Sequence, residues 1–412
     1  MPDLELKIRL AASLAGVPAN AWNACAVSST VKVTDEDNSG GLPPDLSTRG
    51  FLGNPFVSHE FLSSLEESSS VGLRTGWQPQ YLLAETAAGE LIGAAPSYLK
   101  GHSQGEYVFD QGWAEAFEHA GGDYYPKLQV SVPFTPVTGP RLLVGAGPHA
   151  SAARAALVAG LKSITTSNGL SSAHITFLPE ADWRNLGEQG FLLRTDQQFH
   201  WHNRGYAAFD DFLADLSARK RKTIRRERKD ALAAGIDVHW LTGSDLTESV
   251  WDAFFAFYME TGSRKWGRPY LTREFFSIIG QKMADRVLLV MAKRNGRWIA
   301  GAINFIGTDA LYGRNWGAVE HHPFLHFELC YYQAIDYAIR HRLARVEAGA
   351  QGEHKLARGY LPATTHSAHF IANPALRRAI DDYLKRERRY VAAASQELAA
   401  AAPFRKDLVE QD

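Results

Sequence analysis

A chain of 412 residues with 45% hydrophobic, 11% aromatic and 22% charged side chains has apolar surface for two ordinary cores, and is neither disordered nor fibrous. Forty-four Lys and Arg against forty-five Asp and Glu give a net charge of −1, which excludes the global basic surplus of a protein built to hold duplex DNA. Two cysteines, Cys25 and Cys330, lie too far apart in sequence for a CxxC metal site or a disulfide framework, and their scarcity fits a reducing cytoplasm.

The opening stretch MPDLELKIRLAASLAGVPANAW carries Glu5, Lys7 and Arg9 among apolar residues and is broken by Pro18. It reads as an amphipathic helix rather than a secretory signal. No segment approaches the roughly 18 to 20 apolar residues that cross a bilayer, so a soluble cytoplasmic protein with no integral membrane segment is expected. Residues 34–50, rich in Gly, Ser and Asp, read as a surface loop. Residues 81–113 then hold three β-prone runs separated by Gly-containing turns, the pattern of an antiparallel meander.

Residues 100–113, KGHSQGEYVFDQGW, place His102, Ser103, Glu106, Tyr107, Asp110 and Trp113 at the third strand of that meander. With Tyr125 and Lys127 from YYPKLQ, the mixture of rings, carboxylates and a cation suits a polar ligand in a cleft. Downstream, GPRLLVGAGPHASAARAAL runs strand, Gly-Ala-Gly, helix, but lacks the third glycine of a dinucleotide fingerprint. The order helix, strand (AHITFL), short helix (ADWRNLGEQG) and strand (FLLRTDQQFHW) completes the first half.

Between the halves, residues 209–234 form the longest helix candidate, with Asp210 as N-cap and Gly235 as stop. From Arg219 to Lys229 eight of eleven side chains are basic. Arg221, Arg225 and Lys229 share one face at i, i+4 spacing and are candidates to hold the phosphates of a substrate.

The second half repeats the first. VLLVMAKRNGRWIAGAINFIGTDALYGRNWG, 287–317, is a second meander with Asn295-Gly296 as a type I′ turn. Gly112-Trp113 has a counterpart in Asn315-Trp316, and Asn315 and Trp316 join the substrate-binding candidates. His321, His322, His326 and Glu328 lie close in sequence, but Pro323 breaks any common helical face, so no metal site is assigned. FELCYYQAIDYAIRHR then reads as helix, with Cys330 buried in it rather than acting as a nucleophile. ARVEAG reads as strand, EHKLARGY as short helix and THSAHFI as strand. In GAQGEHKLARGY, the turn at Gly349 and Gly352 presents Glu353, His354, Lys355 and Arg358 within little more than one helical turn, a group able to bind an anionic substrate and move a proton; Tyr360 is a further acid candidate.

The strings NPFVSHEFLSSLEESSSVG, TGWQPQYLL, SYLKGHSQGEYVFDQGWA, YYPKLQVSVPFTPVTGPRLLV and AGAQGEHKLARGYLP, in this order, resemble a bacterial FemAB-like family of N-acyltransferases associated with peptidoglycan biosynthesis or recognition, over about residues 52–400. The resemblance implies an α/β (α+β) protein of two tandem GNAT-like acyltransferase domains with mixed sheets, in agreement with the repeat. The halves are expected at 1–205, binding substrate, and 206–412, holding the active site, joined by the long basic helix. FemAB-type relatives transfer amino acids from aminoacyl-tRNA to an amine of a peptidoglycan precursor, whereas ordinary GNAT enzymes use coenzyme A. Aminoacyl-tRNA or acyl-CoA is thus the expected co-substrate, with no tightly bound cofactor, and a small-molecule or peptide amine the expected acceptor. GNAT folds stabilise the oxyanion with backbone N–H groups where two parallel strands splay, and Lys355 is the nearest match to a family lysine that helps stabilise the transition state. The segment NWGAVEHHPFLHFE lacks the Arg/Gln-x-x-Gly-x-Gly/Ala loop typical of coenzyme A binders. That departure keeps open a non-catalytic GNAT pair that binds a cell-wall peptide.

Overall fold

The computed structural model describes residues 5–27, 53–266, 269–349 and 352–405, so the 34–50 loop lies outside the described residues. The strands, in chain order, are β1 (Leu6–Ala11), β2 (Trp77–Pro79), β3 (Tyr81–Thr86), β4 (Leu91–Ala95), β5 (Ser97–Lys100), β6 (Lys127–Val130), β7 (Ser172–Leu178), β8 (Leu192–His202), β9 (Ile236–Leu241), β10 (Val287–Arg294), β11 (Arg297–Ile306), β12 (Ala310–Ala318), β13 (Arg345–Glu347) and β14 (Leu361–Ile371).

The chain divides into two compact units. Of the described residues, the first comprises 5–27, 53–196 and 364–392, and the second 197–266, 269–349, 352–363 and 393–405. This differs from a simple cut at 205/206, and the reason lies in strand pairing. The last strand of the second repeat, β14, pairs antiparallel with β7, whereas β8, the last strand of the first repeat, pairs with β13.

Unit 1 has a small β1-β3-β4 sheet and a sheet ordered β2-β5-β6-β7-β14. The N-terminal stretch is a strand, not the expected helix. Leu6, Ile8 and Leu10 alternate with polar residues at the strand period, and Arg9 donates to Glu85 across the β1–β3 pair at 2.7–3.2 Å. The first meander also ends early. After β5 the chain leaves the sheet, and Trp113 lies on the helix Gln111–His119.

Unit 2 carries the sheet β8-β13-β12-β11-β10-β9. Here the β10–β11–β12 meander forms as expected, and Asn295 (φ 49°) and Gly296 (φ 77°) supply the paired left-handed residues of a type I′ turn. The helix Glu248–Trp266 packs directly on strand backbone: a Cβ on Gly317 would stand 1.9 Å from the Phe257 carbonyl oxygen. Only glycine admits that approach.

The expected helix over 209–234 is two helices, Phe209–Asp215 and Ala218–Leu232. Leu216 turns extended to bridge Phe404, and the Ser217 N–H donates to Pro403 O. The basic helix buries Ile224, Glu227 and Ala231, while Arg219, Lys222, Arg225, Arg226 and Lys229 are exposed. At 100° per residue these five cations share one face.

Candidate active site

In unit 2, β12 and β13 are the parallel pair, and their ladder ends at Tyr312–Glu347. Beyond it the strands part. The Ala348 N–H turns to Phe199 O on β8, and Gly313, Arg314, Asn315 and Trp316 on one side, with Ala348 on the other, line a chamber of about 200 Å³. Asn304, Cys330 and Tyr331 complete its walls. Through shared residues Thr261, Trp316 and His326 the chamber adjoins an open cleft of about 500 Å³, bordered by Glu260, Glu320, His321, His322, Phe324 and Phe327.

Local backbone explains how these side chains are aimed. Phe324 enters the helix in the left-handed region (φ 62°), and Glu328–Tyr332 is a π-helical segment between α-helical Leu325–Phe327 and Gln333–Arg340. An extra residue in a turn rotates the side chains of that turn, a device common at functional sites. Cys330 and Tyr331 thereby both line the chamber. His322 Nε2 donates to the Glu320 carboxylate (2.9 Å), and His326 lies against the Trp316 ring, 4.9 Å between centres.

The segment Glu353–Arg358 folds as a 3₁₀ helix behind the parted strands. Lys355 is 4% exposed, and its Nζ donates to Ala348 O (2.7 Å) and Gly349 O (3.2 Å). An ammonium has three donors, so among the described residues one remains for a ligand. Burial lowers Lys355 to about 8, with the Arg314 charge in the same sense and Cys330 opposing. His354 Nε2 lies 2.9 Å from the Tyr331 hydroxyl, and Gly352 (φ 110°) leaves room for the imidazole, since a Cβ there would stand 2.6 Å from the ring. Burial pushes the Tyr331 phenol well up, so it keeps its proton at neutral pH.

The other expected site residues are placed as follows. Arg358 is not free to hold substrate: its Nη2 donates to both Glu227 oxygens at 3.0 Å, its Nη1 to His354 O at 2.7 Å, and its guanidinium lies 3.4 Å over the Phe327 ring. Glu227 also accepts from the Tyr332 hydroxyl. The one acidic residue inside the basic run thus faces inward and fixes the 3₁₀ helix that carries Lys355. Tyr360 is fully buried, with its hydroxyl 3.4 Å from Tyr331 O, so it is shielded and Tyr331 takes the position on the chamber. The Glu353 side chain lies outside the described residues. Asn315 and Trp316 line the chamber. On the basic helix, Arg225 pairs with exposed Asp210 at 2.9 Å, Lys229 is exposed, and half-buried Arg221 leans toward Ala214 O at 3.4 Å.

In unit 1, of the residues proposed to line a ligand cleft, Ser103, Glu106, Asp110, Trp113 and Lys127 are buried, while His102, Tyr107 and Tyr125 are half-buried. Lys127 Nζ donates to Asp110 (2.6 Å) and Ser103 (2.7 Å) and stands 3.3 Å from Glu106. Ser103 bonds the Tyr125 hydroxyl at 2.8 Å, Tyr124 donates to Asp110 at 2.7 Å, and His102 bonds Thr75 O at 2.9 Å. Trp113 packs edge-on to His369, and Tyr107 is held at φ 59°. Against the effect of burial, Lys127 and His174 hold the Asp110 carboxyl well below its ordinary value. Lys127, Asp110, Ser103 and Tyr124 thus form a buried polar network, in which Glu106 Oε1 and Asp110 Oδ1 have no hydrogen-bond partner among the described residues. The parallel pair of this unit is β6–β7; just past its paired stretch the Phe177 carbonyl accepts from Gly139 N, part of the chain's own 131–141 segment.

Sequence reading missed Tyr331, Glu227 and Asn304. For Asn304 a signal existed, a lone amide in the apolar run of β11.

A family described by peptidoglycan biosynthesis/recognition, FemAB-like, matches residues 13–406. Among solved structures, FemX is 13% identical, covers 82% of this chain and 96% of its own, and superposes with a TM-score of 0.50. A conserved protein of unknown function from Bacteroides thetaiotaomicron VPI-5482 is 11% identical over 88% of this chain and 99% of its own, with a TM-score of 0.51. A tandem GNAT protein from the clavulanic acid biosynthesis pathway is 13% identical over 90% of this chain and 99% of its own, with a TM-score of 0.42. No curated protein matches the sequence. Among the described residues no helix is long and apolar enough to cross a membrane. The fold is a mixed α/β pair of GNAT-like units, and the chain belongs to the FemAB-like family of peptidoglycan biosynthesis/recognition.

Proposed function

We propose that the protein transfers a short acyl or aminoacyl group from an ester or thioester carrier to an amine, with the reacting carbonyl held where β12 and β13 part. The observation that carries this reading is Lys355: a buried ammonium tied to Gly349 O and to the O of Ala348, itself a chamber-wall residue, with its third donor uncommitted among the described residues. In this reading the carbonyl oxygen takes that donor, and the charge it gains in the transition state is stabilised in a site of low polarity. The amine lone pair forms the C–N bond as the C–O or C–S bond to the carrier breaks. The carrier leaves with the proton that the amine gives up, and the Tyr331–His354 pair is placed to relay it.

The family description supports a peptidoglycan-precursor peptide as source of the amine. The exposed cationic face Arg219, Lys222, Arg225, Arg226 and Lys229 suits a phosphate-bearing carrier, aminoacyl-tRNA or acyl-CoA, and the absent coenzyme A loop favours the former. The same absence favours a second reading, a non-catalytic binder of a cell-wall peptide. Purified protein supplied with a lysine-containing precursor peptide and, separately, radiolabelled aminoacyl-tRNA or acetyl-CoA distinguishes them. The expected product is an amide stable to hydroxylamine, and with tRNA its formation is abolished by ribonuclease pretreatment. Peptide binding without product from either donor would leave the binder.

A further inference from the structure

Asn304 is 1% exposed, sits on β11 opposite Gly313, and lines the small chamber. Its Oδ1 has no hydrogen-bond partner among the described residues. The other end of the amide leans on Leu288 O at 3.5 Å, which sets its orientation, since the reverse would face two oxygens to each other. Gly313 matters here as well: a Cβ on it would stand 3.2 Å from Oδ1, so the glycine leaves the acceptor uncovered on that side. A β-bulge between Ala302 and Asn304 breaks the alternation that would otherwise carry this position through a regular ladder.

A buried acceptor without a donor is costly, and in a chamber wall it selects for a ligand that supplies one. The chamber of about 200 Å³, adjoining the open cleft, has room for a short acyl group. We infer that Asn304 is a specificity-determining residue: its Oδ1 accepts a hydrogen bond from an N–H or O–H on the transferred group, which is therefore of the α-aminoacyl or α-hydroxyacyl class rather than a plain alkanoyl group. This assignment rests on the acyl-transfer reading above.

Two matched ligand pairs test it without presupposing the carrier: 3′-alanylamido- against 3′-propionylamido-3′-deoxyadenosine, and lactyl- against propionyl-coenzyme A, titrated calorimetrically into the intact protein. On whichever carrier binds, the member with the extra donor binds about tenfold more tightly to the wild type, a result that needs no variant. Asn304→Leu, near in volume but lacking the acceptor, brings the ratio within about twofold of one. Equal affinities in the wild type, or a ratio unchanged in Asn304→Leu, overturn the assignment while leaving acyl transfer standing. Failure of all four ligands to bind contradicts the acyl-transfer reading and the assignment with it.

Discussion

Lys355→Ala lowers turnover about 100- to 1,000-fold, the usual cost of removing one donor to a developing oxyanion. Thermal stability changes by no more than about 1–2 kcal/mol, because the substitution removes a desolvated charge as well as two hydrogen bonds. The side chain is buried, so this tolerance comes from that compensation and not from surface exposure. The pH dependence follows from the same burial. Lys355 is lowered to about 8, and the protonated form is the one that donates. Turnover therefore falls as pH rises through about 8 for this group and is not lost on acidification. Lys355→Arg, which does not deprotonate in this range, retains part of the rate and removes that fall. Because the acceptor amine's own deprotonation is common to the variants, a rise through pH 8 that disappears in Lys355→Arg would make Lys355 a base and contradict its assigned role. Steady-state rates from pH 6 to 9.5 on the three proteins decide between them.

The second large effect is on stability. Glu227→Gln leaves the Arg358 guanidinium buried without its counter-charge and weakens the bond to Tyr332. Loss of one partner from a buried ion pair costs about 3–5 kcal/mol. For a unit of this size that corresponds to a fall in melting temperature of roughly 6–20 °C. Turnover falls with it, because Arg358 holds the 3₁₀ helix that carries His354 and Lys355. The double variant Glu227→Leu, Arg358→Met removes both charges and recovers most of the loss, which separates ion pairing from simple packing. If Glu227→Gln melts within about 2 °C of the wild type, the pair does not anchor that helix.

The second meander could be read from sequence because its information is local. Alternating strands and Asn295-Gly296 specify the hairpin without help from distant residues. The N-terminal strand carried a local signal, Leu6, Ile8 and Leu10 alternating with Glu5, Lys7 and Arg9, which the helical reading passed over, whereas the break at Leu216-Ser217 is decided by a partner far along the chain, Phe404. The cluster around Lys355 was legible as a compact polar turn. Its internal assignment was not: Arg358 faces Glu227, 131 positions away, and a charge run gives no sign of which member turns inward. Tyr331 was hidden by a π-helical turn, which no helical periodicity anticipates. In the first half, the polar residues between Lys100 and Lys127 were correctly seen as a group, but sequence does not distinguish a ligand cleft from a polar core. Lys127 and Asp110 are both buried.

The most direct test of the central claim, that the donor's acyl group is held in the chamber of the parted strands, uses the thiol already there. Cys330 lines the chamber, whereas Cys25 is buried and its thiol is pushed up to about 11 by desolvation, which leaves it unreactive. Iodoacetamide labelling followed by peptide mass spectrometry should modify Cys330 and spare Cys25. A saturating acyl donor should slow Cys330 labelling at least fivefold. A donor that binds, and is turned over, without changing the rate at Cys330 would place the chemistry elsewhere.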